Sequence, residues 1–376
     1  MGPPFRTWVE ISRRQVAANF RAVRAAVGPG VEIAAVVKAD AYGHGAVEVA
    51  RVLEAEGARW LAVSCVEEGV ILRQAGVATR ILIMADNLPF ARPALFEYGL
   101  TPVVHSLEDL RELNSSVDAG AVPLGFHLKL DTGMGRLGAC DEAAEIAATV
   151  QAATRLRLEG LMTHFASAAD YTSAQTDSQI RGFNELCARL RQAGLRPEYR
   201  HMAGTNPIAY GRREAWHNMV RPGHALYGYV SPARGHAPPR ILSVRPALAW
   251  KARILSVKQV PEGAPVGYGG MFHAPRPTRI GILAVGYADG LSHRLSSRGK
   301  VIAQGRLAPI LGAVSMDLTT IDVTDCPGVR EGDVVTLLGA EGEAALDAQQ
   351  MARLAGTISY DILCGIRARV KRVYVE

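Results

Sequence analysis

The chain has 376 residues, of which 48% are hydrophobic and 21% are charged, and its formal net charge is +6 at pH 7. A single hydrophobic core stops growing at roughly 250–300 residues, so this length predicts two domains. No apolar run reaches the roughly 18 residues that span a bilayer. The first 14 residues lack the apolar stretch of a secretory signal. We therefore expect a cytoplasmic protein with no membrane segment.

The charged residues and the cysteines exclude further classes. Basic residues are dispersed along the chain and form no cluster interleaved with aromatic residues, which argues against nucleic-acid binding. The five cysteines are widely spaced and contain no CxxC pair. This pattern argues against a disulfide framework and against a zinc site, so we expect free thiols and no bound metal.

Short apolar runs alternate with helical periodicity over residues 1–235. The candidate strands are Ile33–Val37, Trp60–Ser64, Arg80–Met84, Thr101–Val104, Gly125–Leu130, Leu158–Thr163, Glu198–His201 and one near Met219 or at Ala225–Gly228. The clearest helical patterns between them are Ala46–Glu56, Glu142–Ala153 and Gln175–Ala193. Eight such units in this length favour a closed (β/α)8 barrel of the TIM type over an open sheet.

The segment Ser231–Pro239, which is rich in Pro, Gly and Ala, ends this pattern. Short alternating runs separated by turn residues follow it, at Ala252–Val260, Ile280–Ala284, Ile321–Val323 and Val334–Leu338. Only Asp347–Leu354 has clear helical periodicity. The sequence therefore predicts a barrel domain over residues 1–235 and a smaller, mostly β domain over residues 236–376.

Lys38 directly follows the first predicted barrel strand. The active site of an α/β barrel lies at the C-terminal ends of its strands, so Lys38 is a candidate functional group. Burial disfavours the charged form of a lysine, which is what a Schiff-base lysine requires. The alternative is a lysine whose amine simply reaches solvent at the end of a strand.

The fifth predicted strand is followed by Gly133, Gly135 and Gly138, which form a GxGxxG motif. With Glu159 about twenty residues later, this motif also fits a dinucleotide-binding fold, so an NAD-dependent dehydrogenase is an alternative. That fingerprint opens the first unit of a doubly wound sheet, whereas this motif lies in the fifth unit of eight. We interpret the glycines as a tight loop from which Arg136 can bind a substrate carboxylate.

Two later strand ends also carry polar groups. His164 follows the sixth predicted strand, at the functional end of the barrel. Arg221 precedes Pro222 and Gly223, which favour a sharp turn. Backbone N–H groups exposed in such a turn could hold a phosphate.

Seven segments, taken together, resemble the motifs of the alanine racemase family. In chain order they are Val37–Gly45, Lys129–Gly138, Arg221–Gly228, Val266–Gly269, Gly286–Gly290, Met316–Asp317 and Ile358–Tyr360. The first resembles the family's attachment motif for pyridoxal 5'-phosphate (PLP), and the set extends over nearly the whole chain. The resemblance implies a PLP-dependent homodimeric enzyme that interconverts L- and D-alanine and supplies D-alanine for peptidoglycan synthesis.

The resemblance also implies the roles of individual residues. Lys38 would carry PLP as a Schiff base and exchange a proton with Cα on one face of the substrate. Tyr268 would act on the other face, from the β domain of the partner subunit, assisted by hydrogen bonds through His164 towards Arg221. Arg221 would bind the pyridine nitrogen. Because arginine stays protonated, the ring would remain a poorer electron sink, which suits simple proton exchange.

The remaining implied contacts concern the phosphate and the substrate. The phosphate group maps to Tyr42, Thr205, Gly223, His224 and Tyr360. The substrate carboxylate maps to Arg136 and to the backbone of Met316, and Tyr287 would narrow the entrance. Lys129 is a candidate for carbamylation, which would turn a repelling cation into an anchor for Arg136.

The chain departs from the family pattern at three places. Gly204 and Thr205 stand where Asn-Ser is common, Ser315 replaces a frequent cysteine, and His224 replaces an aliphatic residue. These departures leave open the choice between alanine, serine and a broader set of amino acids. A PLP-dependent decarboxylase is also a candidate, although such enzymes usually pair the pyridine nitrogen with a carboxylate. A non-catalytic PLP-binding protein is a further candidate, although such a protein has only the barrel.

Overall fold

The computed structural model describes residues 4–118 and 122–376. Grouped by packing, these residues form two compact units. Residues 16–41 and 46–245 make up the barrel unit, and residues 4–15, 42–45 and 246–376 make up the β unit. The first strand, β1 (Thr7–Ser12), is therefore grouped with the β unit. Packing divides the chain at 245–246, whereas the boundary expected from the sequence lies after residue 235.

The barrel unit is built on eight parallel strands. They are β2 (Glu32–Val36), β3 (Trp60–Val63), β4 (Arg80–Ile83), β5 (Thr101–Val104), β6 (Leu124–Lys129), β7 (Leu156–Met162), β8 (Tyr199–His201) and β9 (Met219–Val220). Neighbours in the chain pair from β2 to β8, and β9 pairs with β2. Between β8 and β9, the N–H of Arg221 donates to the carbonyl of Ala203 at 2.8 Å. The predicted TIM-type barrel is confirmed.

Helices lie between the strands of the barrel unit in the chain. They are Arg13–Val27 (in this unit from residue 16), Ala46–Ala55, Val66–Gln74, Arg92–Glu97, Leu107–Ser116, Ala143–Ala152, Gln175–Gln192 and Thr205–Ala209. In Gln175–Gln192, the buried residues Phe183, Cys187 and Leu190 recur at the spacing of an amphipathic helix. Among the described residues, we find no helix with both the length and the hydropathy needed to cross a membrane.

The β unit contains a nine-stranded sheet and a two-stranded hairpin. After β1 its strands are β10 (Leu248–Val260), β11 (Pro265–Val266), β12 (Phe272–His273), β13 (Thr278–Leu283), β14 (Lys300–Ala303), β15 (Arg306–Leu311), β16 (Thr319–Asp322), β17 (Val334–Glu341), β18 (Ala344–Leu346) and β19 (Lys371–Val375). The large sheet has the order β18-β17-β14-β15-β16-β13-β10-β1-β19, and β11 pairs with β12. Two helices, Ala348–Ala355 and Ser359–Cys364, complete the unit. The predicted mostly β second part is confirmed.

Candidate active site

The C-terminal ends of the barrel strands bring several predicted residues together. Burial, followed by the charges of Arg136, Arg221 and Lys38, lowers the pKa of Lys129 to about 8. Burial, followed by the charges of the same three cations and of Lys129, also lowers the pKa of His164. The candidate residues therefore share one electropositive region of the barrel unit, which suits an anionic ligand.

The chain turns in an unusual way directly after Lys38. The four residues from Ala39 to Tyr42 have φ values between 51° and 54°, so they form a left-handed turn without glycine. Each such residue costs roughly 1–2 kcal/mol. Hydrogen bonds hold the turn: the Ala39 N–H donates to Glu68 Oε1 at 2.6 Å, and the Asp40 carboxylate accepts from the Ala46 N–H at 2.7 Å. The sequence analysis did not predict this strained turn, and strain of this kind is often found at functional sites.

Arg221 lies inside the barrel, where it donates to neutral acceptors. Its Nη1 donates to His201 Nδ1 at 2.7 Å and to the His201 carbonyl at 3.0 Å. Its Nη2 is shared among the Thr163 carbonyl at 2.7 Å, the Met202 carbonyl at 3.1 Å and His164 Nδ1 at 3.3 Å. No described residue accepts a hydrogen bond from its Nε–H. Burial lowers the pKa of Arg221 only to about 10, so the guanidinium remains charged at pH 7.

His164 is neutral in this environment. Burial, and then the nearby charge of Arg221, lowers its pKa to about 3. Because Arg221 can only donate, His164 Nδ1 must accept, and its ring proton is then carried by Nε2. His164 therefore connects the guanidinium of Arg221 to any acceptor on the side of Nε2.

The glycine motif after β6 forms a loop around the Asp131 carboxylate. Asp131 accepts from the N–H groups of Gly133, Met134 and Gly135 at 2.9, 2.8 and 2.9 Å. Burial raises the pKa of Asp131, but these N–H donors and Lys129 outweigh it and lower the pKa. Arg136 follows, exposed and without an ion pair to any described residue. The motif opens no doubly wound sheet, so the dinucleotide-binding alternative is wrong.

Thr205 begins the helix that follows β8, and its side chain is bound by the turn that follows β9. Its Oγ1 accepts from the N–H groups of Gly223 and Ala225 at 3.3 and 3.1 Å. These bonds connect the start of the helix Thr205–Ala209 to the single helical turn at His224–Tyr227. Three predicted phosphate contacts, at residues 205, 223 and 224, are therefore adjacent within the barrel unit.

The other two predicted phosphate contacts, Tyr42 and Tyr360, are neighbours within the β unit. Their ring centroids are 5.9 Å apart and the rings are tilted by 46°. Burial, and then Tyr360, raises the pKa of Tyr42, so its hydroxyl keeps its proton. Tyr42 can therefore serve as a hydrogen-bond donor to an anion.

Tyr287 and Met316 lie on two loops of the β unit that are joined by backbone bonds. The N–H of Tyr287 donates to the Ser315 carbonyl at 2.9 Å, and that of Ala288 donates to the Met316 carbonyl at 3.0 Å. A Cβ on Gly286 would lie 2.2 Å from the Ser315 carbonyl oxygen, so the close approach of these loops requires glycine. The structure therefore places the two predicted substrate contacts side by side.

Tyr268 lies at the tip of the hairpin formed by β11 and β12. It is flanked by Gly267 and Gly269, whose φ values are 75° and 66°. These positive values are readily adopted by glycine, which allows the tight turn. The side chain of Tyr268 is 77% exposed in the single chain. Within the β unit it is thus presented outward rather than packed into the core.

Sequence reasoning missed several residues that surround the predicted ones. His201 and Thr163 contact Arg221, and Glu68 holds the turn after Lys38. His105, at the end of β5, is a neutral neighbour of Lys129, because burial and then that lysine lower its pKa to about 4. Three of these residues lie at or directly after the C-terminal ends of barrel strands: His105, Thr163 and His201. That position in the sequence could have identified them as candidate site residues.

Two models of known families match the chain in succession. The model described as alanine racemase, N-terminal domain, matches residues 11–232, and that described as alanine racemase, C-terminal domain, matches residues 247–374. An alanine racemase from Halothermothrix orenii is 40% identical over 369 residues, which cover 98% of this chain and 96% of the relative.

Solved structures of similar proteins extend this comparison. The crystal structure of alanine racemase from Streptomyces lavendulae has a TM-score of 0.92 at 33% identity and covers 100% of this chain and 98% of its own. The alanine racemase from Bartonella henselae, a structure described as having covalently bound pyridoxal phosphate, has a TM-score of 0.88 at 28% identity. That match covers 99% of this chain and all of the other.

Proposed function

The chain belongs to the alanine racemase family and is therefore an amino-acid racemase, and from this premise we propose that it interconverts L- and D-alanine using PLP. The observation that carries this proposal is Arg221, a buried cation whose Nη groups are held by neutral acceptors while its Nε–H has no acceptor among the described residues. The D-alanine would supply peptidoglycan synthesis, and the enzyme would act as a cytoplasmic homodimer.

The residues of the barrel unit fit PLP. Lys38 would hold it covalently, the Arg221 Nε–H would donate to the pyridine nitrogen, and the turn at Gly223 and His224 with Thr205 would hold the phosphate. The cations Lys38, Arg136 and Arg221 in this region suit a dianionic phosphate and a substrate carboxylate. When bound, PLP withdraws electrons from the α-carbon of an attached amino acid and so facilitates loss of its proton.

Arg221 also favours racemisation over the decarboxylase alternative. No carboxylate among the described residues lies within 4 Å of its guanidinium, and its contacts are carbonyls and histidine nitrogens. Arginine remains protonated and donates, so it would leave the pyridine nitrogen unprotonated. The electron withdrawal would then be moderate, which would limit side reactions and suit simple proton exchange.

Proton exchange on both faces of the α-carbon requires two groups. Lys38 would act on one face, and Tyr268 of the partner subunit would act on the other. The exposed position of Tyr268 at a hairpin tip supports its insertion into the barrel of a second copy. His164, with its proton on Nε2, would hydrogen-bond the Tyr268 oxygen and connect it to Arg221. Positioned acid–base groups typically contribute about 10²–10⁴-fold to the rate.

The substrate carboxylate would be bound by Arg136 and by the backbone N–H of Met316. Arg136 forms no ion pair with a described residue, and the Met316 N–H has no acceptor among them. Tyr287, joined to the Met316 loop, would narrow the entrance to the site. Because L- and D-alanine both carry this carboxylate, these contacts would orient either enantiomer.

A serine or broad-specificity racemase is a second candidate because of one local feature. A Cβ built on Gly204 would meet only the Arg221 carbonyl oxygen at 3.7 Å and His164 Cε1 at 3.8 Å, both ordinary contacts. Gly204 therefore leaves space beside His164 that a larger side chain could occupy. For this reason, amino acids larger than alanine should be compared with alanine as substrates.

The decisive experiment is to incubate the purified protein, loaded with PLP, with L-alanine and to measure D-alanine by chiral chromatography. L-Serine is tested in parallel. We expect D-alanine to form until the two enantiomers are equal. PLP binding without any D-alanine would contradict the proposed function, and faster turnover of serine would favour the second candidate.

The shared site is tested by mixing two inactive variants. A dimer of one Lys38→Ala chain and one Tyr268→Phe chain contains one site with both native groups, because the site combines the barrel of one chain with the β unit of the other. Random exchange makes half of the dimers mixed, so we expect recovery of about one quarter of wild-type activity. Mixed dimers that form but remain inactive would contradict the assignment of Tyr268 to the partner.

A further inference from the structure

Two buried histidines extend the hydrogen bonds of Arg221 into the barrel. His201 Nδ1 lies 2.7 Å from Arg221 Nη1, and His201 Nε2 lies 2.8 Å from His127 Nδ1. Both imidazoles are fully buried. His127, on β6, does not contact the predicted ligand-binding residues directly, and the proposed function gives it no role.

Arg221 determines which atom donates in each hydrogen bond of the series Arg221–His201–His127. Arginine has no acceptor, so His201 Nδ1 must accept from Arg221 and the proton of His201 is carried by Nε2. That Nε2–H then donates to His127 Nδ1, which places the proton of His127 on its own Nε2. Burial, and then nearby arginines (Arg80 and Arg221 for His127, Arg221 for His201), lowers the pKa of both rings, so neither is charged at neutral pH.

The packing around His127 leaves it little freedom to turn. The register of β6 and β7 shifts between Phe126 and His127, and Gly160 lies opposite His127. A Cβ on Gly160 would come within 2.4 Å of His127 Nδ1. The ring also packs against Trp60 and Tyr199, with centroids 5.4 and 5.9 Å away. Its Nδ1 is thereby held towards His201.

We propose that His127 is a positioning residue that acts through His201 on Arg221. By accepting the Nε2–H of His201, it stabilises the tautomer of His201 that Arg221 requires. Without this acceptor, the buried Nε2–H of His201 loses its partner, so the preference for this tautomer weakens. A fraction of His201 would then carry its proton on Nδ1, and that N–H would face the guanidinium, which also only donates. Arg221 would lose a neutral acceptor. It would also lose the fixed orientation in which its Nε–H can donate to the ligand. This last step rests on the proposed function, whereas the tautomer assignment does not.

The first test measures the tautomers directly. Protein labelled with ¹⁵N in its histidine rings is examined by NMR with and without PLP, and the signals of His201 and His127 are assigned by substituting each in turn. We expect both rings to be neutral with the proton on Nε2 in the wild type. In His127→Leu, which removes the acceptor, we expect His201 to populate the Nδ1–H form. A wild-type His201 protonated on Nδ1, or one unchanged in His127→Leu, would overturn the proposal.

The second test uses a conservative variant as the control. In His127→Asn, the side-chain oxygen can take the place of Nδ1, so His201 should keep its tautomer. Because the net contribution of one neutral hydrogen bond is modest, we expect kcat to fall up to about tenfold in His127→Leu with the KM for alanine unchanged, and to recover in His127→Asn. Equal loss in both variants at equal thermal stability would contradict a role of the acceptor.

A third variant guards against misfolding of His127→Leu. Gly160→Ala keeps His127 but places a methyl group against its Nδ1, the atom that accepts from His201, so we expect the same change in the tautomer of His201. A Gly160→Ala protein that folds with the wild-type tautomer would count against the proposal. If the wild type shows no racemase activity, the proposed function fails, and the NMR result still decides the role of His127 in orienting His201.

Discussion

Ala39 combines two properties that are seldom found together. Its φ of 52° lies in the left-handed region, and its side chain is exposed, so no packing explains the absence of glycine. Its N–H is held by Glu68 at 2.6 Å. The left-handed turn that follows Lys38 is thus maintained by hydrogen bonds against the conformational preference of its residues.

Relief of that strain should be measurable as a gain in stability. We expect Ala39→Gly to raise the free energy of unfolding by about 0.5–1 kcal/mol, since the strain removed exceeds the extra chain entropy of glycine. The measurement is the midpoint of urea unfolding. Ala188→Gly, at an exposed position within the right-handed helix Gln175–Gln192, is the matched control and should lose about 1 kcal/mol. A loss of stability in both variants would contradict the account of the turn.

Lys129 is suited to carbamylation by its environment. Burial, and then Arg136, lowers its pKa to about 8, so a substantial fraction of its amine is unprotonated near neutral pH. The free amine can attack CO2, forming an N–C bond and releasing one proton. We therefore propose that the carbamate forms on Lys129 and pairs with Arg136.

The carbamate can be observed by NMR of protein equilibrated with ¹³C-bicarbonate. Because the reaction requires the neutral amine, we expect the signal to grow between pH 7 and pH 9. Lys129→Arg should abolish the signal, whereas Lys258→Arg, on strand β10, should leave it unchanged. A signal that persists in Lys129→Arg would assign the modification to another lysine.

At the scale of elements, Asp289 joins the two loops that carry Tyr287 and Met316. It is fully buried, and its carboxylate accepts from Arg6 at 2.6 Å and from Arg369 at 2.9 Å. Arg369 also pairs with Asp317 at 2.6 Å, next to Met316. The positions of the two loops thus depend on each other within the β unit.

Separating these loops should affect substrate binding. Gly286 has a φ that any residue can adopt, but a Cβ there would lie 2.2 Å from the Ser315 carbonyl oxygen. We expect Gly286→Ala to displace the Met316 loop and to raise the KM for alanine by about tenfold, equivalent to loss of about 1.4 kcal/mol of binding. Steady-state kinetics in both directions measures this effect.

Gly182 provides the control for that substitution. It lies within the helix Gln175–Gln192, and a Cβ added there would have no neighbouring atom within 4 Å. Gly182→Ala should leave KM unchanged and stabilise the helix by about 1 kcal/mol. If Gly286→Ala also retains the wild-type KM, the loops do not orient the substrate.

At the scale of the whole molecule, buried neutral histidines make the stability dependent on pH. Burial is the main reason that the pKa values of His127 and His164 fall to about 3. In the unfolded chain these groups take up protons below about pH 6.5, whereas the folded chain leaves them neutral. Their contribution to stability is therefore complete above pH 6.5 and is lost progressively as the pH falls towards 3.

We expect the urea midpoint to fall between pH 7 and pH 5, with each of these two histidines contributing a loss of about 1–2 kcal/mol. His127→Asn removes one of them, so it should lose less stability on acidification than the wild type does. His236→Asn, at an exposed position, should retain the wild-type dependence. Identical dependence in all three proteins would contradict the role of buried histidines.

The barrel strands and several candidate site residues could be predicted from the sequence alone. Fully buried strands appear as continuous apolar runs, so seven of the eight barrel strands were predicted to within two residues, and Thr101–Val104 matched at both ends. The eighth strand lies at Met219–Val220, one of the two positions considered, and the alternative Ala225–Gly228 was wrong because those residues lie in and directly after a helical turn. Lys38, His164 and Arg221 were found because they directly follow such runs. Motifs of this kind depend on neighbours in the chain, which a sequence displays directly.

Tertiary structure decided what depends on distant partners. Strand β1 was not predicted, because it is held by pairing with β10 and β19, about 240 and 360 residues away in the chain. The left-handed turn is maintained by Glu68, and the acceptors of Arg221 come from the ends of two other strands, β7 and β8. Hydrogen bonds between remote segments leave no periodic pattern, so the tautomers of His201 and His127 followed only from the folded barrel.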